Sequence, residues 1–325
     1  MRKEPLLAIN DLVVEFRIGR RTKINAVSGV SLDIGIGETL GLVGESGCGK
    51  STIARSIVGL QKPTAGQVLY KGENLSSKTG RQLRNIRPQI QMIFQDAGAS
   101  LNPGRKIGKS IEEPLRVNGR ADRHERYQSS YKMMQAVGLD PDQMYARYPF
   151  EFSGGQCQRV SIARALILKP RLLICDEPVS ALDVSVQAQI LNLLEKVKLR
   201  FNLTMLFISH DLAVVKNISD RIAVMYLGKI CEITEASELY QSPRHPYSKL
   251  LLASIPEPFP ENRKNKVKRN IRVMPSSVCP PTGCRFYIRC PKAQSMCSKV
   301  EPKLMTSGKN GKVACHYPLP NTITK

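Results

Sequence analysis

A glycine-rich segment with one lysine carries the strongest chemical signal in the chain. Residues 44–52 match the pattern GxxxxGK[ST] throughout, between an apolar run at 40–43 and a helix-like stretch at 53–60. Glycines at this spacing let backbone N–H groups close around phosphate oxygens, while Lys50 can reach the β- and γ-phosphates and Ser51 can ligate Mg²⁺. The sequence therefore predicts a phosphate-binding loop (P-loop) made of Gly44, Glu45, Ser46, Gly47, Cys48, Gly49, Lys50, Ser51 and Thr52.

Two adjacent carboxylates, Asp176 and Glu177, directly follow an apolar run at 172–175 that is typical of a buried strand. The first is suited to hold Mg²⁺ through water, and the second is suited to orient or deprotonate an attacking water. About twenty residues upstream, a short motif precedes the helix-like run 159–168, and backbone amides at a helix start favour anions. The motif consists of Ser153, Gly154, Gly155 and Gln156.

In this order the motifs resemble those of the ATP-binding subunits of ATP-binding cassette (ABC) transporters, from about residue 6 to the chain end. The resemblance implies that Gln95 touches Mg²⁺ and faces the membrane partner. It also implies that Asp183 is the aspartate of the D-loop. It implies that His210, within Ile-Ser-His-Asp, contacts the γ-phosphate. An aromatic residue that stacks on adenine is expected upstream of the P-loop, and Phe16 is the candidate.

Several of these residues have plain structural alternatives. Phe16 equally suits the core of an edge strand, and Asp183 equally suits the N-cap of a helix over 184–199. The resemblance gives Glu177, His210 and Lys50 the catalytic roles. It gives the Mg²⁺ contacts to Ser51, Gln95 and Asp176.

The elements that must position these residues indicate an α/β fold. Alternation in 6–38 predicts an antiparallel sheet, helical patterns in 99–168 predict a helical subdomain punctuated by Pro103, Pro114 and Pro141, and strands alternate with helices from 172 onward as in a parallel sheet. The resemblance implies a P-loop NTPase cassette with a RecA-like core at 1–255 and a small Cys-rich C-terminal extension at 256–325.

Composition limits where such a protein works. The chain has no run of about eighteen apolar residues and no signal-peptide core at its N-terminus, so we expect a cytosolic protein. The net charge of +22 fits a place beside an anionic inner membrane face. The chain also contains a cluster of basic residues with no aromatic residues between them, and this composition favours a solvated linker over a nucleic-acid site. That cluster consists of Arg263, Lys264, Lys266, Lys268, Arg269 and Arg272.

Five of the nine cysteines fall in the last fifty residues, which in a cytosolic protein favours metal binding over disulfides. Their spacing alone does not identify a metal. The sequence around 242–247 and 283–316 resembles the C-terminal extension of oligopeptide and dipeptide importer ATPases, in some of which four cysteines hold an iron–sulfur cluster. The implied ligands of a [4Fe–4S] cluster are Cys284, Cys290, Cys297 and Cys315.

Other cysteine roles are predicted to be modest. Cys279 falls where that branch has no ligand and is interpreted as a spare thiol, while Cys48, Cys157 and Cys175 are interpreted as small packing residues. A zinc site or a tail without metal remains the alternative to the cluster.

The branch resemblance implies an ATP-hydrolysing subunit that powers di- and oligopeptide import from the cytoplasmic face of the membrane. The implied partners are a second, different ATPase, two transmembrane permease subunits and an extracytoplasmic solute-binding protein, with no nucleic acid. Nickel or metal-chelate import is the alternative within the branch. A soluble cassette ATPase acting on nucleic acid or ribosomes is the alternative outside it.

Overall fold

The computed structural model describes residues 4–18, 22–119, 121–255, 281–308 and 311–321. The chain forms two compact units. The first unit comprises Met1–Leu6, Ile34–Glu38 and Ser77–Ile208. The second unit comprises Leu7–Asp33, Thr39–Ser76 and Ser209–Lys325. Cys279 and the basic cluster at 263–272 lie outside the described residues.

The strands in chain order are β1 (Leu7–Ile18), β2 (Thr22–Ile34), β3 (Thr39–Val43), β4 (Ala65–Tyr70), β5 (Glu73–Asn74), β6 (Ile90–Ile93), β7 (Leu172–Asp176), β8 (Thr204–Ser209), β9 (Arg221–Tyr226), β10 (Lys229–Glu235), β11 (Met305–Ser307) and β12 (Gly311–Val313). The helices are α1 (Lys50–Ile57), α2 (Gly80–Ile86), α3 (Ile107–Val117), α4 (Arg123–Ala136), α5 (Pro141–Met144), α6 (Gly154–Leu166), α7 (Val184–Phe201), α8 (Leu212–Ile218), α9 (Ala236–Gln241), α10 (Pro246–Leu252) and α11 (Ser295–Lys299). Short 3₁₀ turns occur at Leu75–Ser77, Arg87–Gln89 and Pro149–Glu151.

In the first unit, β6, β7 and β8 run parallel. Leu172 of β7 pairs with Ile90 of β6 on one side and with Thr204 of β8 on the other. Every residue of β7 is buried, as expected of a parallel strand that is covered on both faces. The carboxyl ends of β6 and β7 therefore lie side by side, with Gln95 two residues after β6 and Glu177 directly after β7.

Helices α3 to α6 lie within the stretch predicted to be helical, but the proline prediction fails at one position. Pro114 lies inside α3 instead of ending it. A proline removes one backbone hydrogen bond from a helix interior. The apolar face of α3 continues across it, since Ile107, Ile111 and Leu115 are all buried at a spacing of four residues.

The second unit contains two sheets. The first has the strand order β2-β1-β4-β5, with β1 and β4 antiparallel, which confirms the antiparallel sheet predicted near the N-terminus. In the second, the order is β11-β12-β10-β9-β3, and β3 pairs with β9 in parallel. This second sheet corrects the expectation of a parallel sheet to the end of the chain. Strands β9 and β10 form an antiparallel hairpin, because Leu227 and Gly228 both take positive φ, 43° and 81°, as a two-residue hairpin turn requires.

The described part of the C-terminal extension packs within the second unit. Strand β12 pairs with β10 through Val313 and Glu232, and Phe286 is buried. The predicted domain boundary at 255/256 adjoins residues outside the described ranges and stays a prediction. No helix in the described ranges is both long and apolar enough to span a membrane.

Candidate functional site

The P-loop joins β3 to α1 in the second unit, and two of its glycines are required by close approach. A Cβ on Gly44 would lie 2.1 Å from the Met225 carbonyl oxygen, and a Cβ on Gly49 would lie 2.2 Å from the Ala26 carbonyl oxygen. Gly49 is the N-cap of α1 and has φ 110°. Glycine thus allows the loop backbone to lie directly against the neighbouring strands, and α1 begins at Lys50.

Lys50 is only 4% exposed, and its ammonium group lies inside the loop. Its Nζ donates hydrogen bonds to the carbonyl oxygens of Gly44 at 2.8 Å and Glu45 at 3.0 Å. A buried cation beside backbone amides at a helix N-terminus is an arrangement suited to phosphate oxygens. Ser51 and Thr52 follow it in the first turn of α1.

Glu45 has partners that the sequence did not reveal. Its carboxylate accepts two hydrogen bonds from the Arg289 guanidinium, each 2.8 Å long, and its N–H donates to the Tyr247 hydroxyl oxygen at 3.1 Å. The hydrogen-bonded Glu45 carboxylate raises the pKa of Arg289 above its ordinary value. Since the paired residues are 244 positions apart, no local motif could have indicated this contact.

Gln95 and the two predicted carboxylates lie together in the first unit. Gln95 Nε2 donates to Glu177 Oε2 at 3.0 Å, while Asp176 is buried at the end of β7. Glu177 has φ 47°, which is uncommon for a residue with a side chain, and its N–H donates to the Ile208 carbonyl at 3.0 Å. The strained backbone and the hydrogen bond from Gln95 fix where this carboxylate points.

The Ser-Gly-Gly-Gln motif forms the start of α6 through a reciprocal cap. Ser153 Oγ accepts from the Gln156 N–H at 3.3 Å, and Gln156 Oε1 accepts from the Ser153 N–H at 3.0 Å. The serine amide therefore already has an acceptor, and the predicted anion site reduces to the glycine amides. Space also requires glycine here, because a Cβ on Gly155 would lie 2.6 Å from Val186 Cγ1.

Asp183 occupies the N-cap position of α7, but its side chain makes no capping hydrogen bond. Its carbonyl oxygen accepts the Gln187 N–H at 2.8 Å. Gln187, which the sequence did not single out, also donates from Nε2 to the Val179 and Leu182 carbonyls at 3.0 and 2.9 Å. The loop before α7 is therefore held by Gln187, and the Asp183 side chain is not used as a cap.

His210 and Phe16 both lie in the second unit with exposed side chains. His210 follows β8, where Ser209 Oγ accepts the Asp211 N–H at 3.0 Å and Asp211 in turn caps α8 through the Ala213 N–H at 2.7 Å. Phe16 is 38% exposed on β1, and β1 lies between β2 and β4. The alternative interpretation of Phe16 as a core residue of an edge strand is therefore wrong.

Cys284, Cys290, Cys297 and Cys315 line one cavity together with His245 and Phe286. Burial is the main cause that raises the pKa of Cys284 to about 11, and it also raises the pKa of Cys290 and Cys315, with neighbouring thiols adding to each shift. Within the described ranges, no group of three or more His, Cys, Asp or Glu side chains is placed so that it could hold a metal ion. Cys48, Cys157 and Cys175 are buried, as expected of packing residues.

Comparisons with known proteins agree along most of the chain. The family model described as "ABC transporter" matches residues 27–180, and that described as "Oligopeptide/dipeptide transporter, C-terminal region" matches residues 231–297. The putative oligopeptide transport ATP-binding protein YkfD of Bacillus subtilis (strain 168) is 48% identical to this chain in sequence. The alignment covers 97% of this chain and 96% of YkfD. The oligopeptide transport ATP-binding protein OppF of Escherichia coli (strain K12) is 49% identical to this chain, and the alignment covers 96% of each of the two chains.

A solved structure extends the likeness to three dimensions. The dimeric post-hydrolysis state of the ATP-binding cassette MJ0796, bound to ADP and Pi, aligns with TM-score 0.65 and 29% identity. The alignment covers 71% of this chain and 98% of that cassette.

Proposed function

Because the chain belongs to the ABC transporter family of ATP-binding proteins, with an oligopeptide/dipeptide transporter C-terminal region, we propose that it hydrolyses ATP to power import of di- and oligopeptides. The buried Lys50 ammonium inside a glycine-shaped loop is the observation that carries this proposal. Relatives named for oligopeptide transport favour peptides over nickel chelates, and they favour transport over work on nucleic acid.

Binding is proposed to begin at the P-loop. Lys50 turns from the Gly44 and Glu45 carbonyls toward phosphate oxygens, and the amides at the start of α1 add their partial charge. His210 is proposed to contact the γ-phosphate, and Phe16 is proposed to stack on adenine. Mg²⁺, assigned to Ser51, Gln95 and Asp176, would neutralise charge on the phosphates.

Hydrolysis is proposed to depend on Glu177. Its carboxylate orients a water for attack, and general base assistance of this kind accelerates reactions by about 10²–10⁴-fold. The 3.0 Å hydrogen bond from Gln95 holds the carboxylate in one position. Since Gln95 is also the residue proposed to face the membrane partner, it would link that partner's state to the catalytic carboxylate.

We further propose that two cassettes act as a pair. The MJ0796 cassette, to which this chain is similar in fold, forms a dimer that is bound to ADP and Pi. In the proposed pair, Ser153, Gly154, Gly155 and Gln156 of one cassette cap the nucleotide of the other, with Asp183 beside them. A second, different ATPase, two permease subunits and a solute-binding protein complete the complex at the cytoplasmic face of the membrane.

The cysteine cavity is proposed to bind a [4Fe–4S] cluster. Four thiols lining one cavity supply the ligand type and number that such a cluster needs. Because these sulfurs are not placed as a metal-binding group, cluster binding requires a rearrangement of their side chains. The cluster would act as a structural link within a short segment that buries little apolar surface of its own.

The Glu177→Gln variant of the assembled complex tests the role of this carboxylate in hydrolysis. The amide keeps the shape but cannot accept a proton, so turnover should fall about 100-fold or more while ATP still binds. Steady-state phosphate release and equilibrium binding of a fluorescent ATP analogue measure the two properties. Glu195→Gln on the exposed face of α7 is the matched control. Undiminished phosphate release from the Glu177 variant would remove this residue from the mechanism.

A further inference from the structure

We infer that Arg289, in the C-terminal region, is a positioning residue for the nucleotide site, since it neutralises and orients Glu45 inside the P-loop. Its two terminal nitrogens each donate to a different carboxylate oxygen of Glu45, both at 2.8 Å. This two-point geometry fixes direction as well as charge. The inference rests on the proposed function, because it concerns ATP binding at that loop.

The polar groups of Glu45 have partners in the second unit. Arg289 holds the carboxylate, the Tyr247 hydroxyl accepts the N–H, and Lys50 donates to the carbonyl oxygen. The residue that supports the Lys50 ammonium is therefore itself held by two residues from the C-terminal third of the chain. If Arg289 is removed, the Glu45 side chain loses the ion pair that holds it in place.

Arg289 is well placed for this role. Its side chain is only 15% exposed, and its guanidinium carbon lies 5.6 Å from the Tyr226 ring centroid and 5.7 Å from that of Phe286. A third hydrogen bond, 3.3 Å long, joins it to the Tyr226 hydroxyl. Flat aromatic neighbours stabilise a guanidinium in a fixed orientation. Partial burial makes the ion pair stronger than an exposed surface pair.

Charge gives the second reason. Glu45 places a negative carboxylate in a loop that must accept a triphosphate, and uncompensated like charge opposes that binding. Arg289 cancels this charge. Loss of Arg289 should therefore weaken ATP binding through repulsion, and removal of the Glu45 charge in the same protein should relieve it. A contact that merely attached the C-terminal segment would not be rescued in this way.

The backbone around Arg289 connects this contact to the cysteine cavity. The Arg289 N–H donates to the Phe286 carbonyl at 3.0 Å, and the N–H of the next residue, Cys290, donates to the Tyr287 carbonyl at 3.2 Å. Cys290 lines the cavity, and the side chain of Arg289, in the same tight turn, contacts Glu45 of the P-loop. The C-terminal region thereby contributes a residue to the nucleotide site.

The test compares KM for ATP and kcat in the assembled complex for Arg289→Ala, and for Arg289→Ala combined with Glu45→Gln. We expect Arg289→Ala to raise KM about tenfold, equivalent to about 1.4 kcal/mol, with kcat within about twofold of wild type. The double variant should recover most of the lost affinity. Arg289→Lys, which keeps the charge but not the two-point contact, should lie between, and it serves if the alanine variant fails to assemble.

Glu301→Ala is the matched control, because it removes the 2.6 Å ion pair with Lys229, another contact of the C-terminal segment with the β9–β10 hairpin. This control should leave KM unchanged. An unaltered KM in Arg289→Ala, a defect that persists in the double variant, or an equal defect in Glu301→Ala would each overturn the inference. Wild-type complex that fails to bind ATP would instead refute the proposed function.

Discussion

His245 is a buried histidine that the structure keeps neutral. It is 1% exposed, its Nδ1 accepts the Tyr247 N–H at 3.0 Å as the cap of α10, and its backbone N–H donates to the Glu232 carboxylate at 2.8 Å. Burial lowers the pKa of His245 from its ordinary value near 6.5 to about 4. Between these two values the unfolded chain binds a proton that the folded chain does not.

Acidification should therefore destabilise the protein through this residue. The stabilisation is fully present above pH 6.5 and is lost as pH falls toward 4, and the loss amounts to about 2 kcal/mol at pH 5. Urea unfolding of wild type and His245→Asn at pH 5, 6 and 7 measures it, since asparagine keeps a cap acceptor without titrating. Glu232 is present in both proteins, so its contribution to the pH dependence of the unfolding free energy cancels in the comparison. Equal pH slopes for the two proteins would refute the assignment.

The position of a residue in the fold was predictable where its neighbours in the chain decide it. Lys50 follows a glycine pattern that specifies a loop before a helix, and Glu177 follows a buried strand, so both placements follow from neighbours in sequence. Arg289 and Gln187 were missed for opposite reasons. The partner of Arg289 is remote in sequence, whereas Gln187 is an ordinary helix residue whose side chain turns back to its own loop.

Strands and helices were predictable where the periodicity of apolar residues was strong. The strand before the P-loop and the helix after Asp183 were both placed within a few residues. The errors came from tertiary effects. A single proline did not end α3, because the buried face outweighed one lost hydrogen bond, and the turn at Leu227 and Gly228 reversed the chain where a crossover helix was expected.

Anaerobically purified protein should be brown, with broad visible absorbance, if the four thiolates of the C-terminal segment hold the proposed iron–sulfur cluster. Replacement of Cys284, Cys290, Cys297 or Cys315 by serine should bleach the colour and loosen the segment to protease. Cys279→Ser is the control and should change neither property. Colourless protein with stoichiometric zinc would show that the four cysteines bind zinc instead of an iron–sulfur cluster. Protein without any metal would show that no cluster is bound.

Each of the two compact units carries a separate part of the proposed chemistry. The second unit holds the P-loop together with the C-terminal segment that supports it through Arg289. The first unit holds Gln95, Glu177 and the start of α6. Motif order in the sequence was enough to identify the family, whereas the contact between the C-terminal region and the nucleotide loop required three-dimensional structure.

Peptide uptake into sealed vesicles shows whether ATP bound by this chain drives import. The permease subunits, the partner ATPase and the binding protein are reconstituted with wild type or with Lys50→Ala, and a labelled oligopeptide is supplied with ATP on the cassette side. We predict uptake that requires ATP and falls to the ATP-free background in Lys50→Ala, since the variant lacks the buried ammonium. Uptake by Lys50→Ala equal to wild type, or ATP hydrolysis by wild type without uptake, would show that ATP bound by this chain does not drive import.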